Sequence, residues 1–87
     1  MNYVYILYSQ KDNGLCIGKT KDLKKRFDDH KNGRSLATKH RRPFVLIHYE
    51  AFVSTKDATA REIYLKSGHG RAQLKEMLKS TFEKYKI

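Results

Sequence analysis

Across 87 residues the chain carries 19 lysines and arginines against 9 aspartates and glutamates, a formal charge of +10. Hydrophobic residues at 39% and aromatics at 11% suffice for one small core, which excludes a disordered basic tail; the length predicts one domain spanning residues 1–87, burying only ~60% of the surface its unfolded chain would expose. No apolar run approaches the ~20 residues of a membrane span, no signal-peptide pattern follows Met1, and Cys16 has no partner for an internal disulfide, so a cytoplasmic protein with a polyanionic partner, nucleic acid rather than membrane, is expected.

Asn2–Ser9 is rich in β-branched and aromatic residues, with Tyr3, Tyr5 and Leu7 on one face and Val4, Ile6 and Tyr8 on the other, which predicts a strand. Lys11-Asp12-Asn13-Gly14 carries turn chemistry, so Leu15–Lys19 is expected to return as the second strand of an antiparallel hairpin. From about Lys21 to Lys31 the period becomes helical. Leu23 and Phe27 make an apolar stripe, and Arg26 and His30 pair one turn apart on a neighbouring face. Asn32-Gly33 ends that helix in the manner of a left-handed cap.

Arg34–Arg42 reads as a basic loop stopped by Pro43. Phe44–Phe52 reads as a third strand whose alternation sets Phe44, Leu46, His48 and Glu50 opposite Val45, Ile47, Tyr49 and Ala51. Ser54 is placed to cap a helix running to about Lys66. Gly68-His69-Gly70 is expected to break it, and a last helix, carrying Leu74, Met77 and Leu78, to run from about Arg71 to Leu78 or beyond. These elements predict an α+β fold: a small three-stranded antiparallel sheet flanked by helices, in the order β-β-α-β-α-α.

The charge is concentrated. Residues 19–42 hold ten basic side chains against three acidic ones, a net +7, and such a local excess is what phosphate contacts require. Lys19, Lys21, Lys24, Lys25, Arg34, Lys39, Arg41 and Arg42 are the expected nucleic-acid-binding set. Other motifs fail. Gly18-Lys19-Thr20 looks like the end of a phosphate-binding loop, but three residues separate Gly14 from Gly18 where that loop needs four. The histidines at 30, 40, 48 and 69 lack zinc spacing, and Gly68-His69-Gly70 lacks the third glycine and preceding strand of a dinucleotide fingerprint.

One constellation survives. Tyr3-Val4-Tyr5 on the first strand, Cys16-Ile17-Gly18 on the second, Arg26 with His30 on the helix, and Glu62 downstream together resemble the GIY-YIG nuclease family, and most closely its small stand-alone members. The likeness runs from about Tyr3 to Lys66. It implies a GIY-YIG-like fold and metal-assisted hydrolysis of DNA phosphodiester bonds, with low sequence specificity because one small domain has no separate module to read base edges.

The resemblance also implies roles. Glu62 would hold one divalent ion, Mg²⁺ (or Mn²⁺); Arg26 would stabilise phosphate charge; His30 would assist proton transfer or hold the phosphate. Tyr5 would hydrogen-bond the attacking water, and Lys19 would contact phosphate. On spacing alone, Glu62 is instead a helical glutamate set to pair with Lys66 at i, i+4. The implied partner is DNA, or RNA, with the chain a monomer or weak homodimer.

Position 16 departs from the pattern. The family's second motif begins with a tyrosine of the catalytic pocket, and Cys16 stands there. A thiol ionises at a lower pH than a phenol (reference pKa ~8.5 against ~10), but it is far shorter, and misplacing a group by about 1 Å can cost ~100-fold in rate. The alternative expectation is a catalytically weak or inactive domain that binds DNA or RNA through the same basic face.

Overall fold

The first strand, β1 (Asn2–Ser9), is buried at every position except the half-buried Tyr3, as befits a strand whose residues from Tyr3 to Tyr8 are all apolar or aromatic. It is the middle strand. β2 (Leu15–Thr20) and β3 (Phe44–Phe52) pair with it antiparallel on either side, in the order β2-β1-β3. The computed structural model describes residues 1–87 and adds four α-helices: α1 (Leu23–Lys31), α2 (Thr55–Lys66), α3 (Gly68–Met77) and α4 (Lys79–Tyr85).

Local chemistry explains the boundaries. The turn between β1 and β2 is closed by Ser9 N–H donating to Gly14 carbonyl at 2.9 Å, while Asn13 takes the left-handed conformation at φ 61° that asparagine tolerates. α1 starts two residues later than the periodicity predicts. Asp22 is its N-cap, in extended conformation, with its carboxylate accepting from Lys25 N–H at 3.1 Å. The left-handed residue beyond α1 is Gly33, at φ 77°. Ser54 caps α2 as expected, its hydroxyl accepting from Asp57 N–H at 3.4 Å.

Two expectations are corrected. The first concerns β3. The register slips between Ile6, opposite His48, and Leu7, opposite Leu46, which leaves Ile47 as the extra residue of a β-bulge. Strict alternation therefore fails: Phe44 and Leu46 join the cluster of Tyr5 and Leu7, while Ile47 packs with Val4 and Ile6, on the face that His48 and Glu50 share through Arg61 of α2.

The second concerns Gly68-His69-Gly70. These residues are the first turn of α3, with Ser67 as N-cap accepting from Gly70 N–H at 3.2 Å. A Cβ on Gly70 would overlap the Tyr64 carbonyl oxygen and lie 2.6 Å from Leu65 Cα, so the missing side chain lets α3 start directly against the end of α2. The chain then breaks at Leu78 and forms α4, which makes the order β-β-α-β-α-α-α.

The sheet has a core on each face. Val4, Ile6 and Ile17 pack with Ala58, Leu65 and Leu74 from α2 and α3. Tyr5, Leu7 and Phe44 pack with Leu23 and Phe27 of α1 and with Leu46 and Cys16.

Candidate active site

Tyr5 lies at the centre of the sheet, opposite Gly18 on β2 and Tyr49 on β3. A Cβ on Gly18 would overlap the Tyr5 hydroxyl and sit 3.0 Å from a ring carbon, so only glycine leaves room for the phenol to cross the neighbouring strand. The hydroxyl ends between two side chains of α1. Arg26 Nε donates to it at 3.4 Å, and His30 Nε2 lies 3.0 Å away. On the far side of the imidazole, His30 Nδ1 is 2.7 Å from Thr38 Oγ1.

The proton positions follow from donor and acceptor inventories. His30 is 2% exposed, and burial together with the nearby Arg26 charge holds its pKa below the ordinary histidine value. It is therefore neutral at pH 7 and has one N–H. Arg26 can only donate, so the Tyr5 oxygen accepts from it, and His30 Nε2 is then the one acceptor within reach of the buried Tyr5 O–H. That assigns the imidazole proton to Nδ1, donating to Thr38. Burial raises the pKa of Tyr5, opposed by Arg26, so the phenol stays protonated. The result is a directed chain from Arg26 through Tyr5 and His30 to Thr38, and no buried side-chain N or O atom of the protein lacks a partner.

α2 lies alongside β2 at this point. Lys19 Nζ donates to Thr59 Oγ1 at 2.6 Å, and Lys66 is near enough to Cys16 for its charge to favour the thiolate. Thr59, Glu62 and Lys66 form one helical stripe, so Glu62 lies between those contacts along α2. Its negative charge acts on Tyr5. The Glu62 carboxylate, 19% exposed, accepts from Lys66 Nζ at 3.3 Å, the pairing that its spacing predicts.

No three His, Cys, Asp or Glu side chains gather anywhere as a metal cage. A single carboxylate such as Glu62 suits a hard divalent cation that keeps most of its water, Mg²⁺ or Mn²⁺. Cys16 faces the same side of the sheet, packed against Tyr5, Leu7 and Phe44. Burial pushes its pKa up against the pull of Arg41, Lys66 and Arg26, so it is a neutral thiol.

The sequence profile of the GIY-YIG catalytic domain matches residues 1–76. The chain belongs to the GIY-YIG family. Its relatives include a UPF0213 protein of Clostridium perfringens, 43% identical over 67 residues that cover 76% of this chain and 71% of that protein. A UPF0213 protein of Syntrophus aciditrophicus is 36% identical over 85 residues, 95% of both chains. The solution NMR structure of a UPF0213 protein from Bacillus halodurans superposes with a TM-score of 0.55 at 36% identity, covering 88% of this chain and 85% of that one. A GIY-YIG domain implies a nuclease-like fold and suggests nucleic-acid binding, and nucleases of the family typically use divalent metal ions. No helix is long and apolar enough to cross a membrane.

Within this GIY-YIG domain the basic side chains of residues 19–42 divide into two groups. Several are engaged internally. Arg41 grips Asp12 through two nitrogens, at 2.6 and 3.3 Å, and lies over the Phe44 ring; its hydrogen bond holds the Asp12 pKa down to about 2. Arg34 and Lys25 both pair with Asp29, at 2.8 and 3.7 Å. Arg42 donates to Lys39 carbonyl at 2.9 Å, and Lys19 is on Thr59. Lys21 and Lys24 have no side-chain partner, and the Lys39 side chain likewise makes no bond.

One residue of the hydrogen-bonded chain carries no motif. Thr38 lies in the loop after α1 and completes the Tyr5–His30 chain. Its only sequence signal is a threonine in a basic loop.

Proposed function

We propose that this GIY-YIG domain hydrolyses phosphodiester bonds in DNA, with one divalent cation, Mg²⁺ or Mn²⁺, at Glu62 and with little preference for sequence. One observation carries the reading: the Tyr5 hydroxyl sits between a permanent cation, Arg26, and a neutral, buried acceptor, His30. That arrangement can accept a proton from water without storing charge on the phenol. As water gives its proton to the Tyr5 oxygen, Tyr5 passes its own to His30 Nε2, and the imidazolium so formed donates at both nitrogens. Arg26 uses only Nε here, leaving its other guanidinium nitrogens to hold a phosphate oxygen.

Glu62 would hold the cation, which when bound neutralises charge developing on the phosphate. Low sequence preference is supported by the side chains themselves: a phenol, an imidazole, a guanidinium and lysines suit water and phosphate, and phosphate contacts carry no base information.

Plasmid nicking in Mg²⁺ tests the reading. The wild type is expected to nick, and Glu62→Ala and Arg26→Ala to lose at least ~100-fold in rate, the scale on which a charge-stabilising donor acts. Equal nicking by all three proteins overturns it. Cys16 favours a second reading, a domain that binds nucleic acid and does not cut, because a short neutral thiol stands where the second phenol of the motif belongs. An inert wild type that gains nicking through Cys16→Tyr selects that reading.

A further inference from the structure

A cleft of ≈ 480 Å³ opens on the α1 side of the sheet, a volume typical of small-ligand sites, which run from ~300 to 1,000 Å³. Tyr3 and Tyr49 line it from the sheet, Leu23 and Phe27 from α1, together with Lys21 and Lys24. Tyr49 is directly opposite Tyr5 in the β1–β3 ladder, so the cleft adjoins the proposed reaction centre. Tyr49 is nonetheless 53% exposed, and the edge of one ring meets the other, Tyr3 and Tyr49 having centroids 6.1 Å apart at 63°. The ring is held in place yet open to solvent.

The charges around the cleft agree. Lys21 and Lys24, with no ion pair or side-chain hydrogen bond, are the uncommitted cations of the basic segment that line this cleft. Asp22, the acid in the lining, is turned to its own helix as the cap of α1. An aromatic platform flanked by free lysines matches a nucleobase with its phosphates. A base inside a duplex is stacked on both faces and cannot reach such a platform.

We propose that this cleft is a stacking subsite for one unpaired base of the DNA strand being cut, with Tyr49 as the platform and Lys21 and Lys24 on the neighbouring phosphates. The favoured substrate is then single-stranded or locally unpaired DNA. The inference rests on the nuclease reading for its strand and polarity, but its test does not involve cutting.

Fluorescence anisotropy of the full chain in EDTA, with a labelled oligothymidylate and a labelled blunt duplex, gives the test. The single strand is expected to bind more tightly. Tyr49→Ala is expected to weaken it about tenfold, within the roughly five- to 150-fold that stacking one base is worth, and to change duplex binding by less than ~2-fold. Tyr49→Phe keeps wild-type affinity. Lys24→Ala is expected to weaken both probes and to flatten the single-strand salt slope by ~0.7. If Tyr49→Ala unfolds, Tyr49→Leu, which keeps bulk without a ring face, carries the same expectation.

Unchanged single-strand affinity in the folded variant, or an equal loss on both probes, overturns the subsite. Tyr49-dependent binding by a wild type that never nicks would keep the subsite and sink the nuclease reading. Nicking that ignores Tyr49, with Tyr49-independent binding, would do the reverse.

Discussion

The two faces of β1 are built from alternate residues of one strand and do different work. On the face toward α2 and α3, Val4 and Ile6 meet Ile17, Ala58, Leu65 and Leu74 in an apolar cluster, with the His48–Glu50–Arg61 bonds beside it. On the face toward α1, Tyr5 and Leu7 share their layer with a buried histidine, a half-buried thiol and a row of hydrogen bonds ending at Thr38. Apolar burial is non-directional and tolerant of repacking. A buried polar chain is directional, and each link is costly to leave unpaired. The difference implies that substitutions on the first face change stability with little effect on the chemistry, and those on the second change the chemistry as well as the stability.

The largest expected effect tests the first half of that statement. Leu65 is fully buried, and Leu65→Ala should lower unfolding free energy by about 2–5 kcal/mol, read as a drop in urea midpoint. Under conditions where the variant is folded, nicking per folded molecule should stay near wild type. A rate that falls in step with stability would show that the two faces are not separable.

Gly18→Ala tests the second half. Its Cβ would overlap the Tyr5 hydroxyl, so the phenol must move by about the distance that costs ~100-fold in rate, with an overpacking cost of ~1–3 kcal/mol in stability. Wild-type nicking by this variant would remove Tyr5 from the chemistry.

The same contrast explains what could be read from the sequence. The period-two pattern of Tyr3–Tyr8 and the stripe of Leu23 and Phe27 are local, and β1 stands where its pattern places it while α1 starts two residues later. The motif residues Tyr5, Arg26 and His30 meet through their side chains. What escapes depends on tertiary contact. Residues 44–47 are apolar throughout, so nothing in them marks Ile47 as a bulge. Gly68 and Gly70 read as helix breakers on propensity, and only the backbone of Tyr64 and Leu65 explains a glycine inside a helix. Arg41 counts as a free cation in any charge sum until Asp12 is seen to hold it. Thr38 is eight residues from His30 in a segment without period, and only the fold brings them together.

Thr38→Val keeps the shape and deletes the hydroxyl that receives the His30 Nδ1 proton. The imidazole then has no reason to keep its proton on Nδ1, and the tautomer with Nε2–H confronts the Tyr5 hydroxyl with a donor. We expect at least about a tenfold loss of nicking, since proton transfer by a correctly protonated group is worth ~100-fold or more in rate, and restoration by Thr38→Ser. Nitrogen-15 NMR of the His30 ring should report the change of tautomer directly; an unchanged ring spectrum would make Thr38 a packing residue only.

The smallest effect is the most specific to the polar face. Burial and the Arg26 charge depress the folded-state pKa of His30, with Asp29 pulling the other way, so below the ordinary histidine value of ~6.5 the unfolded chain binds a proton that the folded chain resists. Where the unfolded state binds more protons, stability rises with pH; the His30 contribution is therefore fully present above ~6.5 and declines as pH falls from there toward the depressed folded value. The carboxylates held low, Asp12 by Arg41 and Asp29 by Arg34, lose their contributions only further down, below the ordinary carboxylate range of ~4. Between about pH 5 and 7 the difference in urea midpoint between wild type and a His30 variant thus isolates this imidazole, the other histidines being common to both. His30→Gln offers a side-chain amide that does not titrate, and its midpoint should change less across that window than the wild type's. Parallel curves would mean that the histidine is not held neutral by its burial, and the proton path from Tyr5 to His30 would lose its acceptor.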